Sequence, residues 1–135
     1  GTPRNLFSQP KEYVGIDFHE GDGVDVVGVC HEWVPPEKNY DVVVSTEMLE
    51  HDPYWEETLR HAVDLLRPGG VLVFTCASIR RSPHHLNDSP IVGYYGGRST
   101  DEVLDVLSEC ADWQHLHANY QRNGLDLIFW GYMAE

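Results

Sequence analysis

Cysteine is scarce and scattered: Cys30, Cys76 and Cys110 are odd in number, far apart and in no CxxC pair. That pattern gives no disulfide framework and predicts reduced thiols in an intracellular, cytoplasmic setting. Zinc-ligand spacing is lacking too, despite eight histidines, so no metal is predicted. Cations are few, nine Lys and Arg against 22 Asp and Glu, for a net charge of −13. A chain so poor in clustered cations is not expected to hold a nucleic-acid backbone or an anionic membrane surface. No apolar run approaches the roughly 20 residues of a membrane helix, and no repeat or low-complexity tract appears. The N-terminus, Gly1-Thr2-Pro3-Arg4-Asn5, lacks the apolar segment of a signal peptide. What is present is ordinary globular material: 135 residues, 41% hydrophobic and 11% aromatic, enough for one domain with its own core.

Apolar patterning sets out the elements. Tyr13-Val14-Gly15-Ile16-Asp17 and Val24-Asp25-Val26-Val27-Gly28-Val29 read as short strands, separated by turn residues that leave no room for a helix. Trp33 to Asn39 contains consecutive prolines and reads as a loop. Tyr40-Asp41-Val42-Val43-Val44-Ser45 is continuous and β-branched, as a strand covered on both faces requires. Pro53 to Leu66 follows as a helix, with Leu59, Ala62, Val63 and Leu66 as its buried stripe. Arg67-Pro68-Gly69-Gly70 is expected to end that helix with a turn before the buried strand Val71 to Cys76. Strand, helix and strand make a βαβ unit, so its two strands should run parallel. Ala77 to Arg98 is long, aperiodic and rich in Pro, Gly, His and Tyr, a pattern typical of a functional lid. A helix starts at Ser99-Thr100-Asp101-Glu102, with Val103, Leu104, Val106 and Leu107 as its core face. Last, Arg122-Asn123-Gly124 joins Trp113–Tyr120 to Leu125–Met133 as a hairpin, with Trp113 and Trp130 expected in the core.

Several of these segments, in this order, resemble the class I S-adenosylmethionine-dependent methyltransferases. Tyr13 to Asp17 is similar to the family's second strand, and Val24 through Cys30-His31-Glu32 to its third strand and adenine-side loop. Tyr40 through Ser45-Thr46-Glu47-Met48-Leu49-Glu50-His51 resembles the fourth strand and the turn after it. Leu65-Leu66-Arg67-Pro68-Gly69-Gly70-Val71-Leu72 resembles the approach to the fifth. Pro90-Ile91-Val92-Gly93-Tyr94-Tyr95 is similar to a segment of small bacterial and phage-type members. The resemblance implies an α/β, Rossmann-like domain over residues 1–135, with a mainly parallel sheet and a C-terminal antiparallel hairpin. Only twelve residues precede Tyr13, so the family's first strand and glycine-rich loop have no counterpart, although Gly1–Phe7 resembles the stretch that follows that loop. An acid that many members carry for adenine is replaced by Val29.

S-adenosylmethionine is the cofactor that the resemblance implies. Asp17 would accept the ribose hydroxyls at a strand's carboxyl end, with Phe18 beside it; a solvated turn acid is the plainer reading. Cys30, His31, Ser45 and Thr46 would line the adenosyl crevice, Cys30 serving equally well as a small buried filler. Glu47, Glu50 and His51 are the candidate proton acceptors, although acids at a helix start also simply favour the dipole. His84, His85, Tyr94 and Tyr95 would shape an acceptor pocket in the lid. Arg80-Arg81 reads as solvated charge, or as a contact to an anionic acceptor. The expected activity is methyl transfer to a small molecule or a terminal group on a larger one. The competing expectation is a cofactor-free binding or assembly module that pairs through an open sheet edge as a homodimer. A nicotinamide oxidoreductase is weaker still, because GxGxxG is absent.

Overall fold

The structure, a computed structural model, describes residues 3–37 and 39–135. Gly1, Thr2 and Lys38 lie outside the described residues, and with them part of the N-terminal and Trp33–Asn39 readings. The elements are β1 (Ile16–Asp17), β2 (Val26–Val27), β3 (Tyr40–Thr46), α1 (Trp55–Leu65), β4 (Leu66–Ala77), α2 (Thr100–Cys110), β5 (Trp113–Gln121) and β6 (Asp126–Met133).

β1 and β2 pair in parallel, with Ile16 opposite Val26 and Asp17 opposite Val27. Both strands are shorter than the apolar runs suggest. Gly15 explains the tight entry: a Cβ there would stand 1.9 Å from the Gly23 carbonyl oxygen. Its carbonyl accepts the Asp25 and Val26 amides at 2.7 and 3.0 Å, while its own amide donates to Asp25 Oδ2 at 2.7 Å. The other four strands form one sheet in the order β3-β4-β6-β5. β3 and β4 are parallel around α1, as a βαβ unit demands, and β4/β6 and β6/β5 are antiparallel. The α/β expectation therefore holds, with a closing hairpin. Parallel and antiparallel neighbours are evenly balanced, because among the described residues no strand joins the β1–β2 pair to the edge at β3.

The Arg67–Gly70 turn is a correction. Leu66 already pairs with Tyr40, and the next matched pair is Val42 with Val71, so β4 carries extra residues as a bulge. Gly69 absorbs them with a left-handed φ of +76°. Helix α1 begins with Glu56 and Glu57 near its positive end and buries Leu59, Ala62, Val63 and Leu65. Helix α2 has the full reciprocal cap: the Glu102 amide donates to Ser99 Oγ at 3.3 Å, and the Ser99 amide donates to Glu102 Oε1 at 3.0 Å. Both helices contribute to the core with alternate residues of the sheet, among them Leu72, Phe74, Leu127 and Phe129. The Phe74 and Phe129 rings lie 5.3 Å apart across β4 and β6. Trp113 packs against this core and donates to the Leu107 carbonyl at 2.8 Å. Trp130 does not join it. Period-two alternation along β6 buries Leu127, Phe129 and Gly131 and turns Trp130 to the other face, stacked on His115 at 4.7 Å.

Among the described residues no helix is long and apolar enough to cross a membrane, and all three cysteines are free thiols.

Candidate functional site

The chemistry-bearing residues sit where strands end. After β1, Asp17 is exposed and its Oδ1 accepts the His19 amide at 2.9 Å. Phe18 is 37% exposed beside it, edge-on to His19. After β2 the chain turns through a single 3-10 turn, Cys30–Glu32. Burial pushes the Cys30 thiol up to about 11, and the charges of Asp52 and Asp17 push the same way. That dependence places Cys30 within electrostatic reach of both acids. His31 stacks obliquely on Tyr54 at 4.9 Å, and its buried Nδ1 makes no hydrogen bond. A further link, His19 Nε2 to Asp88 Oδ1 at 3.6 Å, ties the β1 end to the long segment after β4.

At the end of β3, Ser45 is half-buried opposite Phe74 and Thr46 is exposed opposite Thr75. The chain then bends sharply: Glu47 adopts φ +54°, held by its amide donating to the Thr75 carbonyl at 2.8 Å. This bend separates the candidate acids. Glu47 turns outward onto Arg81 Nη1 at 3.0 Å, and the same guanidinium reaches Asp126 at 3.2 Å. Glu50 and His51 turn inward on a 3-10 turn, Leu49–His51, with all three residues buried. Asp52 anchors the start of α1, accepting the Tyr54 amide at 2.8 Å and the Thr58 hydroxyl. Sequence alone gives Asp52 no role; the available signal is an acid directly before the proline that opens a helix.

The segment from Ser78 to Arg98 folds over this turn. Its ends are joined by an isolated parallel bridge between Ser78 and Arg98. Buried Arg98 donates to the Gly96 carbonyl at 2.9 and 3.0 Å and to the Tyr94 hydroxyl at 3.1 Å, with its guanidinium over the Trp55 ring at 4.6 Å. The Gly96 amide donates to the Glu50 carbonyl at 2.8 Å. So fastened, the segment brings His84 and Tyr95 against His51: the His51–His84, His51–Tyr95 and His84–Tyr95 ring centres are 5.2, 5.6 and 5.0 Å apart. His85 stays exposed, edge-on to His84. Arg81 is ion-paired rather than merely solvated, which corrects one expectation for the Arg80-Arg81 pair.

Electrostatics follow from burial. Glu50 is fully buried, and loss of water raises its pKa above the usual carboxylate range despite the nearby amides of Glu50 and Ala77. Both carboxylate oxygens lack a hydrogen-bond partner. His51 is pushed down, first by burial and then by His84. Burial, with the Glu50 charge behind it, raises the Tyr95 phenol. Two surface hollows, about 370 and 300 Å³, lie against α1 and α2 and include none of these residues.

Known proteins share this architecture. A family model described as a methyltransferase domain matches residues 4–126. A hybrid PKS-NRPS synthetase from Emericella nidulans is 30% identical over 95 residues, covering 68% of this chain and 2% of that protein. The N-methyltransferase NodS from Bradyrhizobium japonicum, solved with S-adenosylhomocysteine, superposes with a TM-score of 0.58 at 16% identity. That match covers 89% of this chain and 65% of NodS. A Haemonchus contortus phosphoethanolamine N-methyltransferase, solved with phosphomonomethylethanolamine and S-adenosylhomocysteine, gives 0.62 at 9% identity, over 81% of this chain and 37% of that one. The chain thus spans less than two thirds of the length of each of these relatives. On the family match over nearly its whole length, it belongs to the methyltransferase-domain family.

Proposed function

We propose that this chain binds S-adenosylmethionine at the ends of β1 and β2 and directs methyl transfer to an acceptor beside the Glu47–His51 turn. The acceptor is a small molecule or a terminal group. One observation carries the reading: Cys30, in the turn after β2, is under the charge of Asp17 at the β1 end and of Asp52 just after the β3 turn. Geometry supports it: β1 pairs with β2, and His31 after β2 packs on Tyr54 before α1 at 4.9 Å, so three strand-end segments are neighbours at the carboxyl ends where open α/β sheets take ligands.

The sulfonium methyl is an activated electrophile, so the protein's task is alignment and exclusion of water. Asp17 offers an exposed carboxylate to the ribose hydroxyls. Phe18, Cys30 and His31 flank the base, and Ser45 and Thr46 stand at the mouth of β3. Glu47, Glu50 and His51 are the groups able to take a proton from an acceptor oxygen or nitrogen. The Ser78–Arg98 segment covers the last two and shields them from solvent.

Calorimetric titration with S-adenosylhomocysteine tests this. Asp17→Ala should weaken binding about 10- to 100-fold, the loss of one or two hydrogen bonds to a charged group. Unchanged affinity would remove Asp17 from the site. A non-catalytic binding module is the second reading. It is favoured by the edges of β1 and β3, each paired on one side only among the described residues. No affinity of the unaltered chain for the nucleoside would favour it.

A further inference from the structure

We propose that Glu50, His51 and His84 form a binding site for one divalent transition-metal ion, with zinc as the best match. The three side chains each offer a ligand atom, and these atoms all lie within 4.8 Å of one another. Two come from adjacent residues and the third from thirty-three residues further along, so no metal spacing is legible in the chain. The fold creates the cluster by laying the Ser78–Arg98 segment over the β3 turn.

The hydrogen-bond pattern calls for a cation. Glu50 is 0% exposed, and neither carboxylate oxygen has a hydrogen-bond partner. His51 beside it is 7% exposed. Orphaned acceptors at this depth are costly and uncommon. His84 Nδ1 lies 3.2 Å from the Ser82 carbonyl oxygen, an acceptor only. That contact puts the ring proton on Nδ1 and aims the Nε2 lone pair at Glu50 Oε1, 3.8 Å away. His51 Nε2 stands 3.9 Å from the same oxygen. A carbonyl behind a histidine is the usual device that orients a metal-ligating ring.

Size and chemistry narrow the ion. Zinc–nitrogen and zinc–oxygen bonds of about 2.0–2.2 Å put neighbouring tetrahedral ligands roughly 3.3–3.5 Å apart. The two histidine nitrogens stand 3.8 and 3.9 Å from Glu50 Oε1, so each must close by about 0.5 Å. The histidine pair, within 4.8 Å, must close by up to roughly 1.5 Å, through side-chain rotations of His84 and His51. Two imidazoles with one carboxylate suit zinc and its transition-metal neighbours, whereas magnesium and calcium prefer a shell of oxygens. Three protein ligands leave a fourth position for water. On the methyl-transfer reading, that position would take an acceptor oxygen, and Glu47 would remain as the proton acceptor. The metal site itself does not rest on that reading.

The test is a titration of tag-free, chelator-stripped full chain with cobalt(II), followed by displacement with zinc. The expected result is intense visible absorption of tetrahedral character that saturates at one equivalent and is abolished by zinc. His84→Ala should weaken cobalt binding about tenfold or more, as should Glu50→Gln. His117→Ala, an exposed histidine on the open sheet face, should bind as the unaltered chain does. His84 lies on a loop, so its variant should keep the far-ultraviolet dichroism of the parent. Absence of saturable absorption, or a titration unchanged by His84→Ala, overturns the site. S-adenosylhomocysteine titration of the same samples separates the two proposals: nucleoside binding without metal sinks only the metal, and metal without nucleoside sinks only methyl transfer.

Discussion

Cys30 shows how a single side chain reports its surroundings. Its thiol is raised from an ordinary 9.0 to about 11 by burial and by the carboxylates of Asp52 and Asp17. In the unfolded chain the thiol ionises first, so between pH 9 and 11 the folded state holds more protons than the unfolded state. Stability attributable to Cys30 is therefore intact below pH 9 and lost as pH rises through about 11. Urea unfolding at stepped pH should show that decline, and Cys30→Ser should make it shallower; an identical slope in the variant would mean the thiol does not titrate in this window. The strand ends at Asp17 and before the Glu47–His51 turn are legible from sequence because an apolar run leads into each. The separation into outward Glu47 and inward Glu50 is not, since it depends on one positive φ set by a hydrogen bond to β4.

At the scale of elements, local signals that agree with packing are the ones that read correctly. Helix α2 is the clearest: Ser99 and Glu102 cap each other, and Val103, Val106 and Leu107 face the core. Ser99→Ala removes the side-chain acceptor of the Glu102 amide and should cost about 1 kcal/mol, read as a lower urea midpoint with unchanged slope. A loss under a few tenths would show that tertiary packing alone holds the helix start. The Arg67–Gly70 segment misleads for the opposite reason. Pro-Gly-Gly is turn chemistry, yet cross-strand pairing at Leu66 and Val71 draws it into a bulge. Trp130 misleads because hydrophobic residues mark a strand without naming its buried face; only the register with β4 decides that.

The whole molecule has an asymmetry that no local pattern reveals. α1 and α2 contribute to the core on one side of the four-stranded sheet, while β3 keeps one edge without a hydrogen-bonded neighbour among the described residues. On that edge strand Val42 is 37% exposed. Such an edge invites a second strand, and the charge of −13 opposes a second copy. Salt screens the repulsion and leaves backbone pairing almost untouched. Sedimentation should therefore show an average mass that rises with protein concentration, more steeply at high salt than at low, and Val42→Lys should suppress the rise. A strictly monomeric chain at both salt levels would show that the edge is silent.

The bridge between Ser78 and Arg98 has a consequence for how such a protein diversifies. Nineteen residues lie between these two anchors, and they leave and re-enter the framework at a single point. Their length and composition can therefore be exchanged as a unit while the sheet and the helices stay as they are. On the proposed methyl-transfer reading, choice of acceptor would be carried by one replaceable stretch, and new specificity could arise without the core being rebuilt.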